Sequence, residues 1–283
     1  METFQMVKKN IRSKYMSSFL DLLALERAKI KEPCLIVAAH PDDEIIGIGS
    51  RISRFENLFM LYVTDGVPQN VSYAIEAGFH SRQEYIRVRK EESVRALSVA
   101  GCCPRQIWRL GLSDQESITD LPRLILTILK IFSEHTITHV FTHPYEGGHP
   151  DHDTASFAVW AACKLMKGGA PLRLEYSSYF GRGGVLCTNR FLKPHTGASV
   201  VAKLNHEQEK KKRRMFECFK SQRKMIDQFD PSVETFRLAP NYCYQSPPHE
   251  GTLFYEYLDW ERGELWRLRV KQTMGLLKIR QRT

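Results

Sequence analysis

The feature that most constrains this chain is an alternation of short apolar runs with longer, helix-patterned segments. Residues 34–39 (Cys-Leu-Ile-Val-Ala-Ala) and 58–63 (Leu-Phe-Met-Leu-Tyr-Val) contain no charged position. Continuous runs of this kind suit strands buried on both faces, as a parallel sheet requires. Between and after them the pattern predicts helices over 44–55, 81–100, 120–133 and 153–166, with further strands over 106–112 and 138–142. Strands alternating with helices imply βαβ units with right-handed crossovers. The expected fold is therefore α/β, a Rossmann-like, mostly parallel sheet with helices on both faces. Past Gly168-Gly169 the rhythm changes. A strand is expected over 174–180, a loop over 181–184, one charged helix over 203–229, and a Pro- and aromatic-rich tail over 234–260. The organisation read from this is one domain. It has a helical extension over 1–31 (a helix from 8 to 31), a catalytic core over 32–200, and a C-terminal helix and tail over 201–283 packing on the core.

Composition narrows the class. At 42% hydrophobic and 26% charged residues over 283 positions the chain can bury an ordinary core, which excludes disorder and disulfide-stapled miniproteins. A formal charge of +9 permits anionic partners without establishing any. No nucleic-acid recognition module is evident, so none is expected as a partner. The run Lys210–Arg214 reads as the solvated face of a helix. Seven cysteines, an odd number without a CxxC pair, read as reduced thiols acting mostly as small buried hydrophobes. No run approaches the roughly 20 apolar residues that span a bilayer, and the apolar stretch 19–25 is broken by Asp21. The expectation is a soluble cytoplasmic protein.

Two segments carry the chemistry, each following an expected strand: Ala39-His-Pro-Asp-Asp-Glu44 and Gly147-Gly-His-Pro-Asp-His-Asp153. In an open parallel sheet, ligands bind beyond the carboxyl ends of the strands, so both segments project into one crevice if their strands are neighbours. His40 with Asp43, and His149 with His152, stand three residues apart. Imidazole and carboxylate ligands so spaced can converge on Zn²⁺ while leaving a position for water. Adjacent Asp42 and Asp43 point in different directions, so one can hold the metal while the other faces its water. Each segment alone also suits a helix N-terminus, Asp-Asp-Glu through the dipole and Pro150-Asp151 through the first turn. Capping explains the pair of segments less well.

The two segments resemble the signatures of the PIG-L/LmbE-like zinc-dependent N-acetylglucosamine deacetylases. Thr64-Asp-Gly66, Arg89 with Glu92, and Gly111-Leu-Ser-Asp114 extend the resemblance over residues 33–165, with Ser113 where the family turn has Pro. The tail, Phe236–Pro240 and Pro247–His249, resembles a bacterial branch more loosely. The resemblance implies that His40, Asp43 and His152 are zinc ligands and Asp42 the general base. It implies that His149 stabilises the tetrahedral intermediate and protonates the leaving amine, and that Asp151 orients a neighbouring imidazole. Arg89 and Asp114 match positions that hold polar substrate groups. Some members carry a Tyr two residues before the counterpart of His149; here that position is Gly147. His143 and Tyr145 are left unassigned. The implied reaction is hydrolysis of the N-acetyl group of an amino sugar or glycoconjugate, a small-molecule partner. An amidase or deacylase on another amide, and a catalytically silent carbohydrate-binding relative, are the alternatives.

Fe²⁺ suits two His and one carboxylate as well as Zn²⁺ does. Gly47-Ile-Gly49 lacks the third glycine of a dinucleotide fingerprint and is read as helix–sheet packing. Cys102-Cys103 is read as packing at a strand entry, and His249 as a structural residue of the tail.

Overall fold

The apolar runs become strands of one seven-stranded sheet, which runs from Gln106–Asp114 at one edge through Leu58–Pro68, Cys34–Ala38, His139–Thr142, Leu172–Tyr176 and Val233–Leu238 to Ser199–Lys203 at the other. The computed structural model describes residues 19–25, 28–193 and 199–280. Strands β1 (Cys34–Ala38), β2 (Leu58–Pro68), β3 (Gln106–Asp114), β4 (His139–Thr142) and β5 (Leu172–Tyr176) pair in parallel. β9 (Val233–Leu238) runs antiparallel to β5, and β8 (Ser199–Lys203) antiparallel to β9. A small hairpin, β6 (Tyr179–Arg182) with β7 (Val185–Thr188), stands apart.

Period-two alternation explains why β1 is apolar throughout. Cys34, Ile36 and Ala38 enter one core, while Leu35 and Val37 enter the other. The first core packs against α1 (Asp43–Ile48), the end of α2 (Arg82–Ala100) and α5 (His206–Phe216). The second packs against α3 (Leu121–Glu134), α4 (Pro150–Leu165) and α6 (Gly263–Leu276). The mostly parallel sheet with helices on both faces is thus as expected. Strand order reverses between β1 and β4, both central, and both signature segments leave from the carboxyl ends of these two strands.

Several expectations are corrected. The helix over 44–55 is only α1, followed by a single 3₁₀ turn at Ile52–Arg54. Gly47 is required there, since a Cβ would lie 2.1 Å from the Tyr176 ring. The strand over 174–180 divides at Ser177-Ser178 into β5 and the separate β6. The single helix over 203–229 is strand β8 at its start, then α5 behind an Asn205/Gln208 capping box, then a 3₁₀ turn and the short helix Arg223–Ile226. The tail begins as β9, a sheet strand. Of the basic run, Lys212 is fully buried, donating to the Ile46 carbonyl and to Glu234, each at 2.8 Å. All seven cysteines are free thiols, but only Cys34 is buried, and Cys103 and Cys243 are exposed. The helix expected over 8–31 lies largely outside the described residues; residues 19–24 are helical.

Candidate active site

The turn after β1 and the loop after β4 meet at the switch point, bringing His40, Asp42, Asp43, His149, Asp151 and His152 into one buried cluster. His40 Nδ1 lies 3.3 Å from Asp43 Oδ2, and His152 Nε2 3.2 Å from Asp43 Oδ1. The other nitrogen of each ring is engaged elsewhere. His40 Nε2 sits 3.1 Å from both Asp151 Oδ2 and Asp114 Oδ1, and His152 Nδ1 sits 3.3 Å from Ser178 Oγ. A carboxylate on the far nitrogen fixes an imidazole's tautomer and turns the near lone pair towards a metal. His152 Nε2 is buried without a hydrogen-bond partner. His40, His149 and His152 form one group able to hold a metal ion, and Asp43, His143 and His152 another.

Asp43 is itself positioned. The His40 amide donates to its Oδ2 at 2.6 Å, and His143 Nε2 lies 3.3 Å away. Burial pushes its carboxyl up, but the imidazoles of His152 and His143 hold it well below the usual carboxylate range. Burial, with His143 alongside, drives His152 well below the imidazole range, leaving a neutral lone-pair donor.

Asp42 stands at the N-cap position of α1 but makes no capping hydrogen bond. Its carboxylate instead accepts from Arg89 Nη1 at 3.0 Å. The capping explanation therefore fails for Asp42. Burial raises its pKa, with the Arg89 guanidinium opposing. Arg89 is buried and committed to this pair. The next residue, Glu44, accepts from the Tyr62 hydroxyl at 2.6 Å; burial pushes it up to about 8, so it stays protonated at neutral pH.

The second segment does cap. His149 is the N-cap of α4 and its Nδ1 accepts from the Asp151 amide at 3.1 Å, so the neutral ring carries its proton on Nε2. That Nε2 lies 3.4 Å from Asp114 Oδ1. Gly148 allows this approach, because a Cβ there would lie 2.1 Å from the Tyr179 carbonyl oxygen. The Asp151 carboxylate is held by the Gln115 and Ser117 amides (2.7 and 3.0 Å) and the Ser117 hydroxyl (2.5 Å). The imidazole it contacts directly is His40, at 3.1 Å, with His149 Nδ1 at 3.8 Å.

These groups open into a cavity of about 250 Å³. Arg89, Asp114, Gln115 and Trp260 line it with the cluster, the Trp260 ring 4.8 Å from that of His149. Ile46, Tyr179, Met225 and Phe229 also line it, with Tyr179 edge-on to His152 at 5.1 Å. Sequence reading singled out Arg89 and Asp114 but missed Gln115, Trp260 and the apolar lining, and also the role of His143, whose signal was its place immediately after β4. Trp260, Met225 and Phe229 gave no local signal. His249 does not line the cavity; its Nδ1 donates to the Glu250 carbonyl at 2.7 Å.

The site is thus a His/Asp cluster able to bind a metal, set at the switch point of a mostly parallel sheet. Residues 35–163 match the model of the family described as PIG-L: GlcNAc-PI de-N-acetylase. The uncharacterized deacetylase YaiS of Escherichia coli (strain K12) is 26% identical over 156 residues, 53% of this chain and 78% of that protein. Among solved structures, a deacetylase–teicoplanin complex is 16% identical with a TM-score of 0.56, covering 72% of this chain and 96% of that one. The N,N'-diacetylchitobiose deacetylase of Pyrococcus horikoshii is 17% identical with a TM-score of 0.53, over 82% and 92%. GalB, the 4-carboxy-2-hydroxymuconate hydratase of Pseudomonas putida KT2440, is 14% identical with a TM-score of 0.54, over 76% and 100%. At these identities the likeness is of fold, and a hydratase among the matches means the fold alone does not fix the reaction. No helix of the described residues is long and apolar enough to cross a membrane.

Proposed function

We propose that this protein is a zinc-dependent N-deacetylase that hydrolyses the N-acetyl group of an amino sugar or glycoconjugate, releasing acetate and a free amine. The observation that carries the reading is the division between the two aspartates. Asp43 lies between His40 Nδ1 and His152 Nε2, while Asp42 is turned away to Arg89. His40, Asp43 and His152 would hold the metal; the same donors suit Fe²⁺. A metal bound there lowers the pKa of a water and polarises an amide carbonyl.

The remaining steps belong to the chain. Asp42, oriented by Arg89, takes the water's proton as hydroxide adds to the carbonyl carbon. His149 presents Nε2–H to the oxyanion, its ring fixed by the Asp151 amide on Nδ1. As the C–N bond breaks, the amine takes the proton that Asp42 received from the water. Asp151 acts through His40, and Asp114 and Gln115 offer polar contacts to a sugar.

The test is elemental analysis with acetate release. Protein purified without chelator is expected to hold about one zinc or iron per chain. It should release acetate from at least one of free, nucleotide-linked or lipid-linked N-acetyl amino sugars. A metal-loaded protein that releases acetate from none of them would sink the reading. The apolar lining by Tyr179 and Phe229 favours, as a second reading, acyl groups other than acetyl.

A further inference from the structure

Glu92 stands one turn after Arg89 on α2, and no step of the hydrolysis uses it. It is buried and does not line the cavity. Both of its oxygens accept from one residue 129 positions away. Oε1 takes the Ser221 amide at 2.9 Å and Oε2 the Ser221 hydroxyl at 2.6 Å. A buried carboxylate needs its oxygens satisfied, and here a single turn of chain satisfies both.

The residue after that anchor is Gln222, half-buried and lining the cavity with Tyr85 and Arg89. Its Nε2 donates to the Tyr85 hydroxyl and, at 3.1 Å, to the Ser221 carbonyl. A carbonyl only accepts, so the atom facing it is the amide nitrogen, and the orientation of the side chain is settled. Both N–H groups are then engaged, and among the described residues nothing donates to Oε1. Tyr85, Arg89 and Glu92 follow at spacings of four and three, on one face of α2. One helix thus holds the partner of Asp42 and also fixes an open acceptor across the cavity from a distant segment.

We infer that Gln222 is a specificity-determining residue whose Oε1 accepts a hydrogen bond from a hydroxyl of the bound substrate. Glu92 is the positioning residue that fixes it there through Ser221. This rests on the amino-sugar reading and deepens it, since it names a residue that recognises the sugar. An acceptor already locked in place loses little side-chain freedom when the ligand arrives, which favours binding.

The experiment is calorimetric binding of N-acetylglucosamine to the zinc-loaded Asp42→Asn protein, with hydrolysis by the parent measured in parallel. Adding Gln222→Met, of similar size but without the acceptor, should weaken binding about three- to tenfold, the worth of one neutral hydrogen bond. With Asp42 intact, the same loss should fall on KM rather than kcat. Glu92→Gln and Ser221→Ala should each weaken binding in the same direction. Added to Gln222→Met, neither should weaken it further, because an effect carried through Gln222 vanishes with the acceptor. Ser221→Ala removes one bond from a half-buried side chain, so the test stands if Glu92→Gln does not fold. Binding unchanged by Gln222→Met, or no binding of N-acetylglucosamine at all, overturns the inference. Additive losses in the double variants, or a Glu92→Gln protein with a lowered urea midpoint and parental binding, make Glu92 structural and overturn its positioning role. Weaker binding by Gln222→Met where the parent releases no acetate supports the contact and sinks the hydrolase reading.

Discussion

Two buried groups of charge lie in this sheet, and the protein resolves them in opposite ways. At the switch point, the carboxylates of Asp42, Asp43, Asp114 and Asp151 gather around histidines, and Arg89 pairs with Asp42 only. Around β9, Arg237 donates to Glu175 at 2.7 Å and to Glu146 and the Tyr242 hydroxyl at 3.1 and 2.7 Å, with its guanidinium 3.7 Å from the Phe191 ring centre. Burial pushes Glu146 up to about 8 and raises Glu175 too, with the Arg237 guanidinium opposing in both, so at neutral pH the guanidinium faces a neutral Glu146. In the second group one guanidinium offsets the acids, although Glu146 Oε2 and Glu175 Oε1 are buried without a hydrogen bond. The first gathers four carboxylates around its histidines with one guanidinium among them, an excess of negative charge that suits a divalent cation. Charge left open inside a fold marks a ligand site; charge closed internally marks structure.

The sharpest way to break that contrast is at the two aspartates. Asp42→Asn should cut turnover by ~10²–10⁴-fold while leaving metal content nearly intact, as read by steady-state rates beside elemental analysis. His152→Ala should lose most of the metal. If Asp42→Asn loses metal in step with rate, or His152→Ala keeps full occupancy, the proposed division between base and ligand is wrong.

How far the sequence reached follows the same line. The parallel half of the sheet was readable because its strands are apolar on both faces, and the signature segments because they interrupt that pattern at strand ends. Strand β9 was hidden by its own charges. Glu234 and Arg237 interrupt any apolar run there, and only the fold brings Lys212 to one and Glu146 and Glu175 to the other. The one-helix reading of 203–229 failed for a related reason, since buried Lys212 is indistinguishable by sequence from exposed Arg213 and Arg214. The ring of Trp260 beside His149, and Met225 with Phe229 in the cavity, arise from packing between segments more than 60 residues from the second signature. No local pattern encodes such contacts.

The balanced group is tested next, with a smaller effect. Arg237→Met removes the cation and leaves two buried acids facing each other. Breaking a buried pair in this way costs about 3–5 kcal/mol, measurable as a lowered urea midpoint at pH 7. The metal content of the folded variant should stay that of the parent. A midpoint within ~1 kcal/mol of the parent would mean the group is not the internally closed structure described here.

The smallest effect, and the finest test, is the proton on Glu146. Its folded pKa of about 8 lies above the ordinary value near ~4.3, so between those limits the folded chain binds a proton that the unfolded chain has lost. The slope of unfolding free energy with pH follows protons bound unfolded minus folded, and is negative here. Glu146 therefore makes the protein progressively less stable as pH rises from about 5 to 8, by at most ~1.4 kcal/mol per pH unit. Glu146→Gln keeps an acceptor for Arg237 and for the Leu192 amide but cannot ionise. Urea midpoints of parent and variant should diverge across that window, with the parent falling relative to the variant, and run parallel above pH 9. Glu44, also raised to about 8, titrates in both proteins and cancels in the difference. Parallel curves from pH 5 to 8 would mean that Glu146 is already ionised, and that the group around Arg237 carries the same open negative charge as the site at the switch point.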